Sequence, residues 1–220
     1  MNPFQNYRII DLTRTLSPDQ EGVAFEQSRT VEKDGWNART LHLYSHTGTH
    51  MDAPLHFGVS EQSIEEFAPP RLMGKTWIAR LGEVKSQQLL MPSDLGKIAD
   101  MIKPGENLIL QTGWSKKESY QTYRDELPRI SKELAHWIVE KGINILGVEP
   151  PSVADVNNLE EVTEIHHILM KGDVIIVEGL VNLDEIQSEM VYLIALPLKL
   201  DKGDGSPIRA IALEPKIESK

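Results

Sequence analysis

The chain contains no cysteine. Disulfides, thiolate metal sites and a cysteine nucleophile are therefore excluded, and any metal centre has to be built from His, Asp and Glu. Long apolar runs are missing too. None approaches the ~20 residues that a membrane-spanning helix needs, and the stretch from Met1 to Arg8 has no apolar signal core. A soluble, cytoplasmic protein is the expectation. Positive charge is scarce: 23 Lys and Arg stand against 33 Asp and Glu, a formal net charge of −10. The largest basic grouping, Lys116-Lys117, is followed at once by Glu118. Such a surface repels nucleic acid, so neither nucleic acid nor membrane is expected as a partner, and a small molecule is.

Several catalytic signatures are absent as well. There is no Gly-x-Ser-x-Gly elbow. Gly203-Asp204-Gly205-Ser206-Pro207 has glycines but precedes no obvious helix and lacks a Walker lysine, so it reads as a tight turn. No repeat, low-complexity segment or flexible linker interrupts the 220 residues, and 40% of them are hydrophobic. One domain spanning residues 1–220, with a core large enough to need no staple, is the expectation.

Strand patterns fall at Tyr7 to Leu12, Trp77 to Leu81, Asn107 to Thr112, Ile143 to Val148, Val174 to Val177 and Val191 to Leu198. Thr40 to His46 alternates strictly, which predicts a strand delivering His46 to its end. Ser60 to Phe67 reads as a short helix capped by Ser60. Ser131 caps a second helix, which Gly142 stops. Glu161 to Leu169 is a third, ended by Lys171-Gly172. Helices alternating with strands indicate an α/β or α+β fold with a mixed or parallel sheet.

What the chain does have is a concentration of histidine. It holds seven, yet four fall between His42 and His56, where composition alone would place roughly half of one. Imidazole and carboxylate suit zinc and related metals. In His46-Thr47-Gly48-Thr49-His50-Met51-Asp52-Ala53-Pro54-Leu55-His56, Gly48 breaks the preceding strand and Pro54 stops a helix from running back through Asp52. The segment thus reads as a strand-end loop. His46, His50 and Asp52 can supply the three protein ligands of a catalytic zinc, with His56 as a spare base. Asp52, having two carboxylate oxygens, can also bridge.

Further ligands have to come from afar. In His166-His167 the two side chains diverge by about 100° on a helix, so one of them faces any given site. Glu178 closes the apolar run Val174 to Val177, where a carboxylate is costly unless paired or metal-bound. Glu149 closes Ile145 to Val148 in the same manner and is a weaker candidate. His42 and His136 read as structural.

The pattern His-x-Gly-Thr-His-x-Asp-x-Pro-x-His resembles the signature of the cyclase-like metal-dependent hydrolases, which include bacterial kynurenine formamidases and isatin hydrolases. The resemblance extends to Asp11-Leu12-Thr13, to Thr112-Gly113-Trp114, to His166 through Glu178-Gly179-Leu180, and to Asp204-Gly205-Ser206-Pro207-Ile208-Arg209. It implies a swivelling β/β/α-type fold, assembled as a homodimer or homotetramer, holding zinc, two per chain, with manganese as the other candidate. It further implies that His46 and His50 hold one metal, that Asp52 bridges, that His166 binds the second with Glu178 completing the pair, and that His56 is the acid/base. Two positions depart from the pattern. The loop from Leu16 to Phe25 carries no Trp where the formamidases share one, and Glu149 replaces an Asp.

The activity so implied is metal-assisted hydrolysis of a small amide or cyclic amide. The alternatives are a metal-dependent lyase or dehydratase, in which His56 takes a carbon-bound proton, and a non-catalytic metal-binding protein.

Overall fold

The computed structural model describes residues 4–117 and 119–216. The start of the N-terminal stretch and Glu118, which closes the basic grouping, lie outside them.

Among the described residues, eight of twelve strands form one mixed sheet. In spatial order these are β1 (Tyr7–Asp11), β12 (Gly205–Pro215), β11 (Met190–Pro197), β5 (Met73–Arg80), β7 (Asn107–Gln111), β9 (Ile145–Val148), β10 (Ile175–Glu178) and β4 (His50–Asp52). β4 also pairs with β12, so the sheet closes on itself into a barrel. β5, β7, β9 and β10 run parallel, whereas β4, β11 and β12 join antiparallel. β2 (Val23–Arg29) and β3 (Ala38–Leu43) form a separate hairpin, with α1 (Val31–Asp34) at its tip, and β6 (Leu89–Leu90) pairs with β8 (Arg129–Ile130). The remaining helices are α2 (Ile98–Met101), α3 (Tyr120–Asp125), α4 (Lys132–Glu140) and α5 (Leu159–Lys171). No helix among the described residues is long and apolar enough to cross a membrane.

The parallel strands read as continuous apolar runs because both their faces are covered. Ile109, Ile145, Ile175 and Val177 fill the barrel together with Met51, Leu193, Ala195 and Ala210. Leu108, Leu110, Leu146 and Ile176 point outward, against Leu134 and Ile138 of α4 and Ile165 and Leu169 of α5. With a side-chain period of two, Glu178 shares the outward face of Ile176.

Five expectations are corrected here. The strand expected to end at His46 is β3 and stops at Leu43: Tyr44 N donates to Gly22 O and Thr47 N to Tyr44 O, which turns the chain. The helix expected from Ser60 is a single 3₁₀ turn, Ile64–Glu66, because Ser63 N donates to Glu66 Oε2 at 2.8 Å and starts it three residues later. The histidine segment is not all loop, since His50–Asp52 is a short strand held on both sides. The turn expected at Gly203 ends there, with Gly203 N on Leu200 O, and Gly205 opens the eleven-residue β12. Pro207 hides that strand in the sequence; in the barrel it stands opposite His50, and Ile208 N donates to Thr49 O instead. α5 begins at Leu159, two residues before the predicted start, because the Asn158 side chain accepts from Glu161 N.

Glu149 is buried, and its carboxylate is saturated by protein donors. Oε2 accepts from Thr112 N at 2.6 Å, Thr112 Oγ1 at 3.1 Å and Gly113 N at 2.5 Å, and Oε1 accepts from Ser115 Oγ at 2.6 Å. It ties the end of β9 to the Thr112-Gly113-Trp114 turn, which is a structural role. Glu149→Ala would orphan these buried donors and is expected to lower the unfolding free energy by roughly 3 kcal/mol or more, measurable by urea denaturation.

Candidate active site

Strand geometry assembles the cluster. On β4, His50 and Asp52 are two residues apart and share one face, while Met51 between them is fully buried in the barrel. The register with β10 sets Glu178 directly opposite His50, at the separation where cross-strand side chains meet. The register with β12 sets Gly205 opposite Asp52. A Cβ at Gly205 would lie 2.5 Å from His46 Cε1, so only glycine leaves room for that imidazole. Gly179, with φ of +70°, lets the chain after Glu178 pass Gly48, whose carbonyl oxygen a Cβ would meet at 2.2 Å. α5 covers the group from outside. Its buried stripe of Ile165, Leu169 and Met170 includes His166, whereas His167 turns aside and bonds Phe57 O at 3.0 Å.

Asp52 is the centre. Its Oδ1 lies 2.8 Å from His46 Nδ1 and 3.5 Å from His50 Nε2. Its Oδ2 lies 3.6 Å from His166 Nε2, is shut off from solvent, and has no hydrogen-bond partner among the described residues. Glu178 spans the same space, with Oε2 3.2 Å from His50 Nε2 and Oε1 3.5 Å from His166 Nε2. Val153 N donates to Glu178 Oε1 at 2.8 Å and steadies that carboxylate. The outer nitrogens of two imidazoles are taken: His50 Nδ1 faces Gly48 O at 3.3 Å and His166 Nδ1 faces Val162 O at 2.7 Å. This is the arrangement that leaves each Nε2 lone pair aimed inward.

These separations suit a metal better than hydrogen bonds. Ligands on ~2.0–2.1 Å bonds at tetrahedral angles stand about 3.3 Å apart. Two groups have donor atoms close enough to hold one ion: His50, Asp52 and Glu178, and His46, Asp52 and His56. Asp52 belongs to both. The orphaned Oδ2 and the inward nitrogens therefore fit a divalent cation. Sequence reading did not single out Asp204 as a site residue, yet it lies against two members of the second group. Its Oδ2 is 3.0 Å from His46 Nε2 and 3.6 Å from His56 Nδ1, and the His46 and His56 rings stack with centroids 3.7 Å apart. The glycine beside Asp204 was the available signal.

Electrostatics follow from burial and pairing. Burial disfavours a charged His46, but the hydrogen bond and charge of Asp52, then those of Asp204, outweigh it and push His46 up to about 9. Burial likewise opposes charge on His50 and His166, yet the nearby Glu178 and Asp52 raise both. Burial would raise Asp52, but the surrounding imidazoles hold its carboxyl well below the usual range. His56 goes the other way: burial lowers it, reinforced by the charges of His46 and His166, so it is neutral at pH 7.

The cluster opens into a cavity of about 820 Å³ lined by His46, His50, His56, His166 and Glu178 together with Arg14, Tyr44, Lys117, Tyr120 and Tyr123. A groove of about 970 Å³ between α4 and α5, which holds His136 and His167, does not reach the cluster.

A closed mixed barrel of this form is the fold of the isatin hydrolases. Isatin hydrolase A from Labrenzia aggregata superposes with a TM-score of 0.87 over 96% of this chain and 95% of its own, at 23% identity. Isatin hydrolase A from Ralstonia solanacearum gives 0.83 over 95% and 92%, also at 23% identity. In sequence, the family model described as "Putative cyclase" matches residues 10–155, and the chain belongs to that family. It is also 32% identical to the kynurenine formamidase of Bacillus cytotoxicus over 209 residues, 92% of this chain and 95% of that one, and 31% identical to the kynurenine formamidase of Bacillus anthracis over the same shares.

The raised imidazoles set an expectation for loading. At pH 7 a cation has to displace a proton from His46, and the upward shifts of His50 and His166 act in the same direction, so binding should release protons and tighten as pH rises toward 9. Calorimetric titration of zinc in buffers of different ionisation enthalpy measures this; no buffer dependence would show that these imidazoles are not the ligands.

Proposed function

We propose that this chain hydrolyses the C–N bond of a small amide or cyclic amide at a divalent metal centre, with zinc, two ions per chain, as the metal and manganese as the other candidate. The buried Asp52 oxygen without a partner, ringed by imidazoles and Glu178, carries this reading. Kinship with kynurenine formamidases supports the reaction class. His46, His50, Asp52, His166 and Glu178 would hold the metal. A cation there supplies Lewis acidity, lowering the pKa of water toward ~7 and polarising a carbonyl.

The chain's own groups handle the protons. Burial holds the His56 imidazole below its usual range, so it is free to take the proton that the attacking water sheds. The water oxygen bonds to the carbonyl carbon, the C–N bond breaks, and His56 passes its proton to the departing nitrogen. The products are a carboxylic acid and an amine. Asp204, 3.6 Å from His56 Nδ1, stabilises the imidazolium in between. Substrate enters through the cavity that His56 lines.

Two variants separate holding the metal from moving the proton. Asp52→Ala should strip bound metal, as read by elemental analysis. His56→Ala should keep its metal while kcat falls about 10²- to 10⁴-fold. An unchanged kcat would remove His56 from the mechanism.

Assembly as a homodimer or homotetramer in a reducing cytoplasm belongs to the same proposal. The β2–β3 hairpin exposes Trp36, Leu41 and Tyr44 at 57–58% of their surface, and two strands alone are marginally stable in water. A second copy is the partner that would cover them. Light scattering should return a multiple of 24.8 kDa, and Trp36→Ser with Leu41→Ser should shift the protein toward monomer.

A further inference from the structure

The cavity that the histidine cluster lines is also lined by Arg14, a cation. Arg14 follows β1, and its backbone N donates to Thr49 Oγ1 at 2.8 Å, which in turn donates to Gly179 O at 2.7 Å. The segments bearing His50 and Glu178 therefore fix where Arg14 stands. Its guanidinium lies 4.6 Å from the centre of the Tyr123 ring. Among the described residues the guanidinium reaches Ser115 O through Nη2 at a long 3.4 Å and also engages the Tyr123 hydroxyl, while Nε is buried with no acceptor. Arg14 makes no ion pair among the described residues. Acids nearby are engaged elsewhere: Asp19 with Ser17, Glu21 with Tyr120, Glu149 with its four donors, Glu178 with the imidazoles. Lys117, its ammonium 4.5 Å above the Trp114 ring, adds a second positive charge to the same wall.

A guanidinium offers five donors in a planar fork that matches a carboxylate. The contacts to Ser115 and Tyr123 leave part of that capacity unused, in the cavity that the histidine cluster also lines. We propose that Arg14, with Lys117 beside it, binds a carboxylate on the substrate, so that the amide cleaved is an anionic one, such as an N-acylated amino acid. The inference rests on the hydrolase reading for the reaction and on Arg14 for the specificity. Tyr123 forms the floor beneath the guanidinium, its hydroxyl held by Glu149 O at 2.8 Å.

The test compares formanilide with the 2-, 3- and 4-formamidobenzoates on zinc-loaded wild type, Arg14→Gln and Arg14→Lys, and titrates the matching aminobenzoates by calorimetry. Wild type should favour the best formamidobenzoate about 10- to 100-fold in kcat/KM, the worth of one charge-assisted contact. Arg14→Gln should collapse that ratio toward one, chiefly through KM, and Arg14→Lys should restore part of it. A ratio that survives in Arg14→Gln overturns the proposal. So does an equal loss on both substrates, which would make Arg14 a counter-charge for Glu149 and Glu178. If no amide is cleaved but an aminobenzoate binds wild type and not Arg14→Gln, carboxylate recognition stands and the hydrolase reading falls. Aminobenzoate binding that ignores Arg14, with no cleavage, overturns both.

Discussion

Burial of the Asp52 carboxylate is the constraint on which the rest of this structure depends. An ionised carboxylate inside a protein is unfavourable unless something of opposite charge answers it. Asp52 is answered by three imidazoles, none of which belongs to an element that holds a second of the three: His46 from a loop, His50 from β4 itself, His166 from α5. His46 and His50 approach one carboxylate oxygen and His166 the other. One oxygen still lacks a partner, and that deficit makes the cluster a receptor for a cation rather than a closed ion-pair network.

Glu149 and Glu178 show how narrow the difference is. Both end a buried parallel strand, β9 and β10, and both are almost fully buried. Glu149 accepts four hydrogen bonds from Thr112, Gly113 and Ser115 and has nothing left to offer. Glu178 accepts one backbone hydrogen bond, from Val153, and otherwise faces two imidazoles. Identical residues at equivalent strand ends thus take up a structural and a site role, and the neighbouring loop decides which. Arg14 is the complementary case, a cation with unused donors facing the cavity.

Much of the architecture was legible in local pattern. The apolar runs of β7, β9, β10 and β11 stand out because strands covered on both faces lose their alternation, and α4 is framed by Ser131 and Gly142. What local pattern concealed was β12, since Ser206 and Pro207 at its start look like breakers, and the hairpin strand β2, whose residues are mostly exposed and so carry no core-facing stripe. Closure of the barrel depends on β12 pairing with β4, a contact between segments some 150 residues apart, and no local periodicity encodes such a partner.

By itself the sequence determined the chemistry available: no thiolate, and a dense set of imidazoles and carboxylates between His42 and His56. Tertiary structure alone decided which distant groups join them. Cross-strand register brought Glu178 opposite His50, the buried stripe of α5 turned His166 inward and His167 away, and the absence of a side chain at Gly205 made space for His46. It also placed Asp204 beside His56 and set Arg14 on the wall of the same cavity. The reason is physical: side-chain direction along one strand or helix is set by covalent geometry, whereas the meeting of separate segments is set by register and packing that exist only once the barrel has closed.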